Sequence, residues 1–216
     1  MPVKLSKTSK LDGIKSWSLQ AVETCPGSKD KATGQLVPAC QGCYAVGGNY
    51  RFPNVIAPRV FNKQDWKRDN WAQDMADALR NERYFRWFDS GDMYSLALAY
   101  KILEVMTLTS NVKHWLPTRM HKFLKFQSVL AAMQALPNVM VRASSDSVTG
   151  VFVAGVHGST IIPDMTERAG VTICHAATNE GKCGPCRACY SKNVPVIGYL
   201  AHGQKMAGVV QRALAA

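Results

Sequence analysis

A chain of 216 residues with 47% hydrophobic content is long enough to bury one substantial core. It has no apolar run of about 18 residues, and its N-terminus lacks the apolar segment of a secretory signal, so we expect a cytoplasmic protein without a membrane span. The formal net charge of +11 excludes little, but it favours an anionic partner such as a nucleic acid or a phosphate-rich ligand.

Short β-branched or aromatic segments, separated by turn residues, predict six strands. They cover residues 14–22, 84–88, 112–116, 139–143, 171–174 and 194–200. Longer segments with apolar residues at helical spacing predict four helices, over residues 62–80, 95–109, 123–136 and 204–216.

Strands that alternate with helices indicate βαβ units and a parallel sheet. We expect a single α/β domain over residues 1–216, built as a partial (β/α)6 barrel like an incomplete TIM barrel, with cysteine-rich loops. A full eight-stranded barrel usually needs a longer chain. An open, doubly wound sheet is the alternative.

Polar residues follow several predicted strands, at the edge where such folds place their chemistry. Gly91 and Asp92 follow the second strand, and Ser145 and Asp146 follow the fourth, so we expect these four residues to bind a cofactor. A glycine beside an acid allows close backbone approach and can bind an amino or hydroxyl group. The alternative is a plain turn and helix N-cap.

Seven cysteines form two groups at opposite ends of the chain. The first group is Cys25, Cys40 and Cys43, and the second is Cys174, Cys183, Cys186 and Cys189. An odd number of clustered thiols in a reducing compartment indicates metal or redox chemistry, not a disulfide framework. Four thiolates fill a [4Fe–4S] cluster, whereas three leave one iron open to another ligand.

Two other interpretations of the cysteines remain open. Zinc is bound by four thiolates in many small sites, and some of these cysteines can form such a site. Cys183-Gly184-Pro185-Cys186 also matches a thioredoxin-type redox tetrapeptide, although Cys189 follows it closely. The C-x2-C-x2-C spacing at the end of the chain is more typical of ferredoxin-type ligation.

The positive charge is concentrated in the middle of the chain. No acidic residue lies between Glu104 and Asp146, whereas five basic residues do: Lys113, Arg119, Lys122, Lys125 and Arg142. This segment predicts a surface for nucleic acid or another anionic substrate. A solvated basic face is the alternative.

In Cys25-Pro26-Gly27, Cys40-x2-Cys43-Tyr44-Ala45, Ser90-Gly91-Asp92 and the last four cysteines, the chain resembles the phage "gene product 88" family. The same features are similar to those of radical S-adenosylmethionine enzymes. That resemblance implies a cluster held by Cys25, Cys40 and Cys43, and a cofactor turn at Gly91 and Asp92 that binds the amino group of S-adenosylmethionine.

The sequence therefore predicts an iron–sulfur protein with one or two [4Fe–4S] clusters that acts as a radical S-adenosylmethionine-like enzyme on an anionic or nucleic-acid-related substrate. The alternative is a non-catalytic phage protein that binds DNA or a host protein, in which iron–sulfur or zinc is a structural staple or redox sensor.

Overall fold

The computed structural model describes residues 2–215 as a mixed α/β domain with one eight-stranded sheet. The strand order is β1-β2-β3-β4-β5-β6-β8-β7, and every neighbouring pair is parallel except β1 with β2. The strands are β1 Ser6–Lys7, β2 Lys15–Trp17, β3 Tyr84–Trp87, β4 Lys113–Thr118, β5 Val139–Ser144, β6 Gly158–Ile162, β7 Val171–Cys174 and β8 Val196–Leu200.

Six α-helices accompany the sheet within the described residues. They are α1 Pro38–Gln41, α2 Pro53–Asp65, α3 Trp71–Leu79, α4 Leu96–Leu108, α5 Gln127–Ala135 and α6 Gln204–Leu214. No helix within residues 2–215 combines the length and apolar character needed to cross a bilayer. Ala216, the last residue of the fourth predicted helix, lies outside the described residues.

The predicted helix over residues 62–80 is wrong in its extent. The structure has two helices there, because the polar run after Asp65 turns the chain between α2 and α3. The buried Asp65 carboxylate accepts a hydrogen bond from Arg68 Nε at 2.6 Å, which fixes this turn. Pro53 at the first position of α2 explains the earlier start, since proline needs no intrahelical N–H bond there.

The main hydrophobic core lies between the sheet and α3, α4 and α5. We call the face of the sheet that these helices cover the outer face, and the opposite face the inner face. Trp17, at the end of β2, contacts Trp71 and Trp87 edge to face, with ring centroids 5.3 Å and 6.1 Å away. Side chains alternate between faces along a strand, so Phe85 and Trp87 point into this core while Arg86 points to the inner face. The inner face is left for polar and aromatic residues.

The barrel-like part of the prediction is not confirmed. The sheet is open, and β1 and β7 are its two edge strands. Strands β2 to β6 follow one another in chain order, and the order departs from the chain only at β8, which lies between β6 and β7. Within residues 145–203 the connections contain no α-helix, whereas each connection from β2 to β5 contains at least one.

Candidate functional site

One cavity of about 450 Å³ lies over the inner face of the sheet, next to the carboxyl ends of the parallel strands. Six of the seven cysteines line it: Cys25, Cys40 and Cys43 from the first group, and Cys174, Cys183 and Cys189 from the second. The seventh, Cys186, is exposed. The fold therefore brings the two cysteine groups together, although about 130 residues separate them in the chain.

The first group lies in the long connection after β2. Cys25 precedes a short 3-10 turn, Cys40 lies in α1, and Cys43 follows α1 by two residues. Burial raises the pKa of the Cys25 thiol to about 12, and the negative charge of Asp92 adds to this effect. The Cys40 and Cys43 thiols raise that pKa further, so the three thiols are close enough to influence one another.

Asp146 fastens this loop to the sheet. Its carboxylate accepts hydrogen bonds from Arg119 Nε at 3.2 Å and from Lys122 Nζ at 2.6 Å. Its backbone oxygen accepts a hydrogen bond from Ala39 N at 2.9 Å, and Lys122 also donates to the Gly27 oxygen at 3.1 Å. Asp146 is predicted to bind a cofactor, but in the structure it joins α1 and the Cys25 turn to the end of β5.

The Gly91 and Asp92 turn lies beside Cys25. Gly91 has a φ of +81°, and a Cβ atom there would lie 2.6 Å from Leu19 Cβ, so only glycine fits. The buried Asp92 carboxylate accepts hydrogen bonds from Thr118 Oγ1 at 2.8 Å and from the Met93 and Arg119 amides at 2.8 Å and 2.9 Å. Burial raises its pKa.

The remaining predicted residue, Ser145, lines the cavity but is occupied within its own loop. Its hydroxyl donates to the Val151 oxygen at 2.6 Å and accepts from the Ser147 amide at 3.1 Å. The N-cap of α4 is Ser95, whose hydroxyl accepts from Leu98 N at 3.3 Å, so Asp92 is not a helix cap.

The second cysteine group spans the end of β7 and the loop before β8. Burial raises the pKa of Cys183 to about 11, and the nearby Cys174 thiol adds to this effect. The Cys189 Sγ lies 3.1 Å from Tyr199 Oη. The Cys183 amide donates to the Lys10 oxygen at 2.8 Å, which ties this loop to the N-terminal segment.

Arg142 is fully buried beneath this loop, although it belongs to the basic segment that was predicted to bind nucleic acid or another anionic substrate. Its guanidinium donates hydrogen bonds of 2.9 to 3.3 Å to six backbone oxygens, those of Gly158, Ala188, Cys189, Ser191, Val194 and Pro195. No carboxylate of the described residues pairs with it. Arg142 therefore organises the loop and is not free to bind a substrate.

The comparisons with known proteins identify a family. A family model described as Gene product 88 matches residues 3–192. The chain belongs to the Gene product 88 family. The match spans all seven cysteines and ends before β8. No curated protein and no solved structure matches the chain, so the resemblance to radical S-adenosylmethionine enzymes has no support from these comparisons.

Within residues 2–215 of this Gene product 88 chain, no three His, Cys, Asp or Glu side chains are grouped closely enough to hold a single metal ion. Six cysteines share the cavity, but no three of these side chains form a group that could hold a single metal ion.

The basic segment between Glu104 and Asp146 does not form one continuous surface for an anionic ligand. Arg119 and Lys122 pair with Asp146, and Arg142 is buried under the cysteine loop. Lys113 and Lys125 remain exposed. The prediction of a nucleic-acid surface over this segment therefore rests on two exposed lysines.

The sequence did not single out Arg86, which lines the cavity between the two cysteine groups. Its NH1 lies 3.1 Å from Asp89 Oδ1, and its guanidinium lies over the Trp115 ring, 4.7 Å from the centroid. The sequence does contain a signal for Arg86, which is its position between Phe85 and Trp87 in the aromatic segment 84–88. Alternate residues of a strand share one face, so Arg86 lies on the face opposite these two aromatic residues.

Proposed function

We propose that this protein is an iron–sulfur enzyme whose chemistry takes place in the cavity between the two cysteine groups. The observation that carries the proposal is the convergence of six thiols, from both ends of the chain, on one cavity at the carboxyl edge of the sheet. Enzymes with parallel sheets use this edge for catalysis. A cavity of about 450 Å³ suits a small-molecule ligand.

A bound metal cluster would offset the cost of ionising the buried thiols. All seven cysteines are free, as expected in a reducing host-cell cytoplasm, where we place the protein. Burial raises the pKa of Cys25 and of Cys183, so neither ionises readily alone. A cationic metal offsets this cost, because thiolates bound to metal are deprotonated outright.

The surroundings of the second group also favour an anionic cluster. The guanidinium of Arg142 lies near Cys189 and lacks a carboxylate partner among the described residues. The Tyr199 hydroxyl lies within hydrogen-bond distance of the Cys189 sulfur. A buried cation and a donor to sulfur are typical surroundings of a thiolate-bound cluster.

The sequence spacing of the second cysteine group favours iron–sulfur over zinc. Its C-x2-C-x2-C pattern with one remote cysteine is typical of ferredoxin-type ligation. Zinc sites more often use two C-x2-C pairs separated by a longer stretch.

Each group has a distinct role in this proposal. Cys25, Cys40 and Cys43 would hold one cluster, beside the Gly91 and Asp92 turn. The second group would hold another cluster, which would support the loop. If S-adenosylmethionine bound to the first cluster, one electron from an external reductant would cleave its sulfonium C–S bond, releasing methionine and a 5′-deoxyadenosyl radical that abstracts hydrogen from a substrate.

Among the predicted cofactor residues, Asp92 is the best placed to contact such a ligand. A carboxylate has about four acceptor positions, and Asp92 uses three of them within the protein. One position therefore remains for an amino group. Asp146 and Ser145 instead hold the loops that form the cavity wall.

The proposal is tested with Cys43→Ala and Cys186→Ala, each of which serves as the control for the other. Both are purified anaerobically, and their reduced forms are examined by electron paramagnetic resonance with and without S-adenosylmethionine. We expect each variant to lose about half of its iron. The cofactor should change the spectrum of the wild type and of Cys186→Ala, but not that of Cys43→Ala.

Iron-containing wild-type protein with a spectrum indifferent to S-adenosylmethionine would contradict the enzymatic proposal while leaving the clusters in place. It would favour a non-catalytic role, in which the bound metal stabilises a part of the chain in place of hydrophobic packing. The observation behind that alternative is the loop of residues 175–195, which has only short 3-10 turns between β7 and β8. Such a protein would bind DNA or a host protein.

A further inference from the structure

The described residues contain a cluster of buried hydrogen-bond donors without acceptors. Arg86 Nε, Trp115 Nε1 and Tyr190 Oη are buried, and none has a hydrogen-bond partner within residues 2–215. All three groups donate hydrogen bonds, and buried donors without a partner are rare in folded proteins. Each costs about 1 to 3 kcal/mol when left unsatisfied.

These three side chains pack against one another. Arg86 and Trp115 are register partners on β3 and β4, so both project from the inner face. The Trp115 and Tyr190 rings meet edge to face, with centroids 5.8 Å apart. The Arg86 guanidinium lies over the same Trp115 ring, 4.7 Å from its centroid, so both Arg86 and Tyr190 contact Trp115.

The cluster carries excess positive charge. Asp89 is the carboxylate partner of Arg86, but it also pairs with Arg59 at 3.2 Å and accepts a hydrogen bond from Tyr50. One carboxylate therefore serves two guanidinium groups. A fourth unsatisfied donor, Arg187 Nε, lies nearby, since Arg187 and Tyr190 both contact the ring of Tyr84.

The second cysteine group has a counter-charge other than Arg86. Arg142 Nε donates to the Cys189 backbone oxygen at 3.0 Å, so the Arg142 guanidinium lies directly against that group. Arg86 can therefore serve another anion.

We propose that Arg86, Trp115 and Tyr190 form a binding subsite for an oxyanion, a carboxylate or phosphate group carried by a small molecule. The guanidinium supplies charge and a planar set of donors, which matches the oxygens of such groups. The stack on Trp115 fixes the plane of the guanidinium. A small molecule fits the cavity, whereas a nucleic acid duplex does not.

This inference rests on the proposed function only in one respect, which is that the anion belongs to the enzyme's substrate. Binding of the anion itself requires no cluster. Arg86 and Trp115 line the cavity and would contact the ligand there, whereas Tyr190 packs against the Trp115 ring and is not itself a lining residue.

The test is calorimetric titration of the anaerobically purified protein with inorganic phosphate and with acetate, in a buffer free of both. We expect one of them to bind saturably at one site per chain. Arg86→Gln should weaken this binding about tenfold or more. Arg86→Lys should weaken it less, because a lysine keeps the positive charge but lacks the planar set of N–H donors of a guanidinium. The control is Arg80→Gln, since the Arg80 side chain is 73% exposed.

Tyr190→Phe keeps the test decisive if the arginine variants fail to fold. Without ligand, this variant should be as stable as the wild type or more so, because it removes an unsatisfied buried hydroxyl. With ligand, its affinity should fall about two- to tenfold. A merely structural tyrosine would not combine these two effects.

Iron and sulfide are measured on the same samples, so that the two proposals can fail separately. Binding that depends on Arg86 in a protein without iron would uphold the subsite and sink the cluster. The subsite is overturned if neither anion binds saturably, or if Arg86→Gln and Tyr190→Phe bind like the wild type. It is also overturned if these variants alter only the reduction potential, since the donors would then serve cluster sulfur.

Discussion

His114 and its partners on the outer face of the sheet form a hydrogen-bonded chain that requires a neutral imidazole. Trp87 Nε1 donates to His114 Nδ1 at 3.2 Å, and His114 Nε2 lies 2.9 Å from Thr109 Oγ1. The Thr109 hydroxyl donates to the Val105 oxygen at 2.6 Å, so it accepts from His114 Nε2. Burial lowers the pKa of His114 from 6.5 to about 3.

This histidine should make the protein less stable in acid. The unfolded chain binds a proton at His114 below pH 6.5 and the folded chain does not until about pH 3. The free energy of unfolding should therefore fall as the pH drops through this window, by on the order of 1 kcal/mol per pH unit. Denaturant titrations of the wild type and of His114→Gln at several pH values measure the difference.

The control for this experiment is the variant itself, because carboxylates and thiols titrate equally in both proteins. His114→Gln should show a shallower loss of stability between pH 6.5 and pH 3. Parallel pH profiles for the two proteins would contradict the assignment of a neutral, buried imidazole.

At the level of single residues, the sequence located the cysteines but not the contacts that hold them. Asp146 follows a strand and looked like a free ligand, yet Arg119 and Lys122 occupy its carboxylate. Arg86 was overlooked, because its alternate position in the aromatic segment 84–88 shows only that it lies on the face opposite Phe85 and Trp87, and not what it contacts. Such partners become visible only when the register of neighbouring strands is known.

Among the elements, the loop of residues 175–195 depends most on a single side chain. Arg142 is its central hydrogen-bond donor and comes from β5, a strand outside the loop. The cost of burying the guanidinium is met by backbone oxygens alone among the described residues.

Replacing Arg142 should therefore release the second cysteine group. Arg142→Met leaves several buried oxygens without donors, and we expect a loss of about 3 to 5 kcal/mol in the free energy of unfolding. The variant should also lose the iron of the second cluster and keep that of the first. Denaturation and iron analysis measure these effects, with Arg80→Met as the exposed control. Wild-type stability and iron content in Arg142→Met would refute this role.

The prediction of elements succeeded where periodicity was strong. Helix α4 was predicted over residues 95–109 and is Leu96–Leu108, and β7 matches its predicted bounds. Strand β6 was missed, since its Gly-Ser start and the proline after Ile162 leave only a short run of β-branched residues. Strand β1 was missed because two residues show no period.

At the scale of the whole molecule, the parallel α/β class was predictable and the shape of the sheet was not. Alternating strands and helices indicate parallel pairing, but they do not reveal whether a sheet closes. Here α-helices lie in the connections from β2 to β5, whereas the connections from β5 to β8 contain none. Closure was over-predicted, because alternating strands and helices are equally compatible with an open sheet.

The convergence of the two cysteine groups is likewise a property of the whole fold. Cys25 and Cys40 are separated by 14 residues, and no local motif joins them. Asp92 lies beside Cys25, and α1 carries Cys40 to the same cavity. The end of β7 and the loop before β8 bring the second group to this cavity as well.

The most direct test of the central claim is the iron, acid-labile sulfide and zinc content of the anaerobically purified protein. Two [4Fe–4S] clusters predict about eight irons and about eight sulfides per chain, with no zinc. Stoichiometric zinc without iron or sulfide would contradict the claim that these thiols hold iron–sulfur clusters.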